Sequence, residues 1–343
     1  TIAHALAEAF PKLKVLIVSG SPIIGSFDFK ARVDFVRVPG IIKLRNGDYV
    51  PLGEHASIQE TTALRSSLIT ETAVSFAPDV FIVDKEPLGL RGELEETLES
   101  LKARGTRLVL GLRDVLDEPT ALAQEWARKR VFPALDLYDD ILVYGLKSIY
   151  DPLQGLGLPA TIAGRTTFTG YLKRTRPVAQ PSFGTDDLAH RLLVTAGGGG
   201  DGELLIDWVI GAYERDARAL PPALIVVGPF MRGEVRAGFE RRAAAIPALR
   251  MLTFEPRMEH LLADARGVVS MGGYNTFCEI LSFDKRALVV PRHVPRREQT
   301  IRAEAAQRLG LVRMLHEPDD GVRPDPRVML EALAALPAQP APS

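Results

Sequence analysis

Three short segments in the C-terminal half combine residue types and spacings suited to holding an anionic ligand. Gly197-Gly198-Gly199-Gly200-Asp201-Gly202 follows the apolar run Arg191–Thr195 and opens a helical pattern. Glycines at such a turn let the main chain approach an anion. The helix N-terminus adds unpaired N–H donors and the positive end of its dipole. The segment also fits G-x-G-x-x-G, but the dinucleotide pattern calls for an acidic residue after the next strand. Here Ala223–Val227 runs into Gly228-Pro229-Phe230, so a nicotinamide dinucleotide is poorly served. Phosphate binding and a tight turn packing helix on sheet both stand as readings of this loop.

The second segment is Met271-Gly272-Gly273-Tyr274-Asn275-Thr276-Phe277-Cys278-Glu279, after the strand-like Val268-Val269-Ser270. Asn275 or Thr276 is expected to cap a helix. Glu279 lies one turn in, on the same face. There a carboxylate accepts bonds from vicinal ribose hydroxyls, or simply offsets a positive helix end. The third segment, Pro291-Arg292-His293-Val294-Pro295-Arg296-Arg297-Glu298-Gln299, follows Leu288–Val290 and runs into a helix. Glu298 and Gln299 suit sugar hydroxyls, and Arg302 suits an i,i+4 ion pair with Glu298. His293 reads as a base, a sugar contact or an exposed imidazole. In the N-terminal half, Asp84 in VDKEP and Arg113 and Asp114 in GLRDVLDEP follow strand candidates. The two carboxylates suit either orienting an acceptor hydroxyl or capping a turn.

The elements that must position these residues alternate strand and helix. The strands are continuous apolar runs, the pattern of a parallel sheet covered on both faces. The first half predicts strands at Lys14–Val18, Val33–Val38, Asp79–Val83, Arg107–Leu112, Ile141–Tyr144 and Pro159–Ile162. Its helices are Ile58–Phe76, Leu94–Arg104 and a long one over Pro119–Leu135. Thr1–Phe10 reads as a helix feeding the first of these strands. Such a helix usually follows another strand, so one strand and its loop are expected ahead of Thr1. The second half repeats the grammar. The expectation is an α/β chain of two doubly wound domains with a ligand cleft between them. An acceptor-side domain spans 1–172, a Pro/Gly-rich linker 173–187, a second domain 188–326, and a last helix with a disordered tail 327–343.

The chain has 343 residues, 46% hydrophobic and 25% charged, with net charge −1. That excludes a disordered chain and a generally basic nucleic-acid-binding surface. The single cysteine, Cys278, excludes an internal disulfide and argues against a cysteine zinc site. With no apolar run near membrane-spanning length and no secretory signal, a cytoplasmic protein is expected. Ile41–Arg45 and Arg128–Phe132 mix apolar and basic residues, a pattern that fits either peripheral contact with anionic lipid or plain solvated charge.

Together, the glycine loop, VVSMGGYNTFCE, VVPR and EQTIRAEAAQRLG resemble, in order and spacing over Arg191–Met314, the C-terminal domain of GT-B glycosyltransferases, and within them glycosyltransferase family 28. The resemblance implies two Rossmann-like domains and transfer of a sugar from a nucleoside-diphosphate sugar, uridine diphosphate first, to an acceptor hydroxyl without metal or cofactor. The lack of an Asp-x-Asp segment agrees. It implies donor diphosphate at Gly198, Gly199, Gly200, Gly272, Gly273, Asn275 and Thr276, and the base near Phe254. It implies ribose at Glu279 and donor sugar at Glu298 and Gln299, with His293 nearby. The peptidoglycan enzymes of the family carry a Ser-Gly-Ala type turn where this chain has Met-Gly-Gly-Tyr-Asn, so sugar and acceptor choice can differ. The catalytic base is expected ahead of Thr1. A UDP-sugar 2-epimerase and a non-catalytic nucleotide-sugar-binding protein are the alternatives.

Overall fold

A computed structural model of the protein describes residues 2–43, 49–53, 57–179, 187–318, 322 and 324–342. Part of Ile41–Arg45 and part of the expected linker therefore lie outside the described residues. The chain divides into two compact units, Thr1–Leu172 and Lys173–Ser343.

In unit 1, α1 (Ile2–Ala9) leads into β1 (Val15–Ser19), which pairs in parallel with β2 (Val33–Arg37). An antiparallel pair follows, β3 (Ile41–Lys43) and β4 (Tyr49–Pro51). Helix α2 (Ile58–Phe76) starts with a capping box: the Ser57 hydroxyl accepts from the Glu60 N–H, and the Glu60 carboxylate accepts from the Ser57 N–H. Next comes a parallel sheet of β5 (Val80–Asp84), β6 (Arg107–Arg113), β7 (Asp140–Tyr144) and β8 (Thr166–Phe168), in that order. Its connections carry α3 (Glu95–Ala103), α4 (Pro119–Arg128), α5 (Val131–Ala134) and α6 (Ala160–Gly164).

Two expectations fail here. The helix predicted over Pro119–Leu135 breaks at Arg130, which is left-handed with φ 55°. The break lets Val131 enter the core and brings the Phe132 ring edge-on to Trp126, centroids 5.9 Å apart. Lys129 pairs with Glu86 and Glu125, while Arg128 and Arg130 are exposed. The predicted strand Pro159–Ile162 is instead the start of α6, where proline is accommodated because helix N-termini leave N–H groups unpaired anyway. The strand itself comes after it, as β8.

Inside unit 1, Arg65 of α2 is buried against Glu93, Nε to Oε2 at 2.5 Å and Nη2 to Oε1 at 2.6 Å. Its Nη1 donates to the Pro39 carbonyl at 2.6 Å. A Cβ at Gly20 would lie 2.5 Å from Nη1, so glycine there makes room for the guanidinium. One buried cation thus ties together the loops after β1, β2 and β5.

Unit 2 contains β9 (Leu192–Thr195), α7 (Glu203–Asp216), β10 (Ala223–Val226), α8 (Gly233–Ala244), β11 (Leu249–Leu252) and α9 (Met258–Asp264). It continues through β12 (Gly267–Ser270), α10 (Tyr274–Ser282), β13 (Ala287–Val289), α11 (Glu298–Arg308), β14 (Arg313–Met314) and α12 (Pro326–Ala335). The strands form one parallel sheet in the order β11-β10-β9-β12-β13-β14. This is the doubly wound order in which the direction of winding reverses between the first and fourth strands, here β9 and β12. Helix α12 is part of this core: Met329, Leu333 and Leu336 are buried in it, and the Trp208 Nε1–H donates to the Asp325 carbonyl at 2.8 Å. The disordered tail expected from Pro337 onward is corrected too. Gln339 is buried, and its carbonyl accepts from Arg286.

Replacing Arg65 with alanine leaves Glu93 charged and buried, and the expected loss is about 3–5 kcal/mol of unfolding free energy. The pairwise replacement Arg65→Met with Glu93→Leu is expected to lose much less. Urea denaturation of both variants checks this.

Candidate functional site

The glycine loop after β9 is shaped first by its neighbour. Gly199 has φ +86°, and a Cβ there would lie 2.3 Å from the Val227 carbonyl oxygen. Gly228, at φ +93°, would place a Cβ 2.5 Å from the Gly197 oxygen. The Phe230 N–H donates to the Gly198 carbonyl at 2.9 Å. Main chain therefore packs directly on main chain, and Gly199 and Gly228 are glycines for that reason. Gly200 is different: it is exposed, and a Cβ there would meet nothing within 4 Å. Helix α7 then begins at Glu203 with no side-chain cap.

After β12, Gly272 adopts φ +73° and packs on β13, where a Cβ would lie 2.6 Å from Val289 Cγ1. Gly273, not Asn275 or Thr276, is the N-cap of α10, and no side chain caps this helix. Asn275 lies inside the first turn and is exposed, and its Oδ1 accepts from Arg174 Nη2 at 2.9 Å. Arg174 also donates its main-chain N–H to Ser282 Oγ at 2.9 Å, so this arginine lies along α10. Glu279 is half-buried, and its side chain makes no hydrogen bond or ion pair among the described residues. Burial first, and then the Glu259 carboxylate, push its pKa up to about 8, against the opposing pull of Arg174.

The segment after β13 is organised by Arg292. Its Nη2 donates to Glu298 Oε1 at 2.6 Å, and its Nη1 to the Arg296 carbonyl at 3.1 Å. Its Nε lies 2.5 Å from Asp201 Oδ2, an ion pair reaching the glycine loop. Gln299 is buried, with Oε1 accepting the Arg292 N–H at 3.2 Å. Glu298 Oε2 is buried with no hydrogen-bond partner among the described residues. His293 lies 3.5 Å from Glu317. The expected pair of Arg302 with Glu298 is not the arrangement found. Arg302 is buried, donates to the Gly272 carbonyl at 3.0 Å, and stacks 5.7 Å from the centroid of the Tyr274 ring. Arg292 and Arg302 thus fasten the segments after β9, β12 and β13 to one another.

Most of the donor-side candidates lie at the carboxyl edge of unit 2's sheet. Gly198–Gly200 follow β9, and Phe254 follows β11. Gly272 to Thr276 follow β12, with Glu279 one turn into α10, and His293, Glu298 and Gln299 follow β13. Phe254 is half-buried, and its neighbour Glu255 is buried with Oε1 accepting from the Arg257 N–H at 3.0 Å. Arg174 escaped the sequence reading because its only signal is a basic linker, KRTR. In unit 1, Asp84 pairs with Arg113 at 3.2 Å at the sheet's carboxyl edge. Asp114 is buried with Oδ1 accepting from the Val115 N–H at 2.8 Å. Tyr144, on the neighbouring strand, is pushed up to about 12, chiefly by burial. Among the described residues no group of His, Cys, Asp or Glu is gathered to hold a metal ion, and no helix is long and apolar enough to cross a membrane.

Several solved glycosyltransferase structures share this fold. The structure of CalG4, the calicheamicin glycosyltransferase, superposes with a TM-score of 0.54 at 15% identity, covering 98% of this chain and 84% of that one. Phytolacca americana UGT2, complexed with UDP-2fluoro-glucose and pterostilbene, gives 0.61 at 15% identity, covering 98% and 87%. Acinetobacter baumannii MurG gives 0.55 at 12%, covering 98% and 85%. At these identities the likeness establishes the fold, GT-B. No curated protein matches the chain significantly in sequence. Residues 222–320, all within the second unit, match the glycosyltransferase family 28 C-terminal domain.

Glu279 supplies a pH test. A carboxyl raised in the folded state above its ordinary value of 4.5 holds its proton longer than the unfolded chain does. Stability is therefore expected to fall as pH rises from about 4.5 to about 8. Glu279→Gln should flatten that slope in chemical denaturation curves run across the window. Separately, Gly199→Ala should cost on the order of 1–3 kcal/mol in strained backbone and overlap, whereas Gly200→Ala, facing open space, should cost under about 0.5 kcal/mol.

Proposed function

We propose that the chain moves a sugar from a uridine-diphosphate sugar to an acceptor hydroxyl. The observation that carries this reading is the set of helix starts at α7, α10 and α11. All three lack side-chain caps, and all three follow strands of one parallel sheet around its switch point. Such N-termini offer N–H donors and the positive end of the dipole to a diphosphate. The likeness to a UGT2 complexed with UDP-2fluoro-glucose supports uridine as the nucleoside.

In the proposed reaction, the acceptor hydroxyl oxygen attacks the anomeric carbon while the bond to the diphosphate oxygen breaks, with inversion, and the hydroxyl proton passes to solvent or to the departing diphosphate. Negative charge grows on the departing diphosphate, and fixed helix N-termini stabilise it without reorganising. The proposal draws on these main-chain groups and assigns no metal to the reaction. Glu279 takes the ribose hydroxyls, Phe254 flanks the base, and the unpartnered Glu298 Oε2 receives a hydroxyl of the donor sugar. Gln299 acts through Arg292, holding the loop that carries the sugar contacts. The acceptor belongs to unit 1, near Asp84 and Arg113. The buried Cys278, with no disulfide to form, suits a cytoplasmic setting.

Thermal unfolding with UDP, GDP, dTDP, UDP-sugars and NAD tests the assignment. At 100 times its dissociation constant, the true nucleotide should stabilise the fold by about 2.7 kcal/mol. Glu279→Ala, compared with its own ligand-free state, should lose most of that shift. A shift with NAD alone would overturn the donor site. Epimerised UDP-sugar in the absence of any acceptor would replace transfer by epimerisation.

A further inference from the structure

The glycine loop after β9 carries a carboxylate that an anion-binding loop does not need. Asp201 stands between Gly200 and Gly202, directly ahead of α7. A carboxylate at a helix start ordinarily accepts from the first main-chain N–H groups of the helix. Among the described residues no N–H of α7 donates to Asp201. Its Oδ2 lies instead 2.5 Å from Arg292 Nε, in the loop after β13. That Nε is buried and makes no aligned hydrogen bond, so the approach is one of charge.

The same guanidinium donates from Nη2 to Glu298 Oε1 at 2.6 Å. One cation therefore serves two carboxylates, and this trio carries one negative charge in excess. Glu203, the other acid at the start of α7, is matched separately by Arg232, with both hydrogen bonds at 3.1 Å. Within the trio, the side chains of Arg292 and Glu298 are 16% and 13% exposed, but that of Asp201 is 38% exposed. Asp201 is thus the member open to an incoming ligand.

This inference rests on the donor site proposed above, in which Gly198 to Gly200 hold the diphosphate and Glu298 holds the sugar. Arg292 links the two places, so Asp201 lies at the sugar-bearing end of the diphosphate. Before transfer the terminal phosphate is bonded on both sides and carries one negative charge. After transfer it is a monoester, which sheds its second proton at about pH 6 and carries nearly two. Helix N-termini attract the second form more strongly, which favours a retained product. A fixed carboxylate beside that phosphate acts in the opposite sense, because its repulsion grows with the charge it faces.

We propose that Asp201 sets the preference of the donor site for the sugar-bearing diphosphate over the free nucleoside diphosphate, and so favours release of the product. Arg292 holds the carboxylate at the rim of the site, and Glu298 holds Arg292. The proposal makes Asp201 a specificity-determining residue that opposes the ligand left after transfer.

Isothermal titration of UDP and of UDP-glucose into the wild-type protein and Asp201→Asn, at neutral pH and low salt, tests it. In the variant, UDP is expected to bind roughly 10-fold tighter and UDP-glucose roughly 3-fold tighter, since the terminal phosphate carries two charges in one and one in the other. Asp201→Glu, which restores the charge, should return the wild-type ratio of the two affinities. Asp201→Ser is a second neutral variant should Asp201→Asn fail to fold. A plain latch between the two loops predicts that both ligands weaken together, and that result overturns the proposal. So does tightening of both by the same factor. Binding of both ligands with an unmoved ratio leaves the donor assignment standing and removes only the role of Asp201. Binding of neither ligand to the wild-type protein removes both.

Discussion

A parallel strand buried on both faces needs a hydrogen-bonded neighbour on each edge, and in unit 2 that requirement sets β9 between β10 and β12. The rest of the donor side follows from it. The chain must leave β9 in one direction to reach β10 and come back past β9 to lay down β12, so the loops after these strands diverge and leave a crevice. The loops that crowd this edge have little room. Gly199 and Gly228 lie main chain against main chain, and Gly272 presses on Val289. Glycine at these turns is a condition of the sheet's topology before it is a condition of ligand binding. The same closeness leaves the starts of α7, α10 and α11 without side-chain caps.

Loops pressed together in this way still have to be held in register, and arginine does that. Arg302 is buried with its charge on the Gly272 carbonyl and the Tyr274 ring, and Arg292 joins Asp201 to Glu298 across two loops. A planar guanidinium with several fixed donors can serve two or three acceptors at once, which a lysine ammonium cannot do with the same geometry. Arg174, on Asn275, adds a further cation along α10. Glu279 is the counterweight. It is half-buried with Glu259 nearby, so it is inclined to keep its proton. A ligand that hydrogen-bonds it would relieve part of that desolvation.

Much of this was legible in the residues. Continuous apolar runs such as Leu192–Thr195 and Ala223–Val226 announce buried parallel strands, and glycines at strand ends announce turns toward helices. What was not legible depended on contacts across the sequence. Arg302 one turn after Glu298 looks like an i,i+4 pair, and only the fold shows the Gly272 carbonyl 30 residues earlier in its reach. Asn275 is a good capping residue by type, yet the helix starts two residues sooner because Gly273 makes the turn. The break at Arg130 was legible, because Pro133 lacks an N–H for the carbonyl four residues back and its ring clashes with it; the turn at Arg130 then brings Val131 to the core. The strand β14 has two residues, too few to show any period.

The two units therefore differ in how fully they satisfy the rule that builds them. Unit 2 pairs both edges of its central strand and adds α12 to its core, so the donor-side loops rest on a closed frame. Unit 1 holds its corresponding loops with one buried ion pair, Arg65 with Glu93, beside strands that keep apolar surface in water. A frame with an open edge permits local opening at lower free energy than a closed one. Under the proposed reading, the groups at the carboxyl edge of β9, β12 and β13 that would hold a nucleotide therefore rest on the better-paired of the two frames.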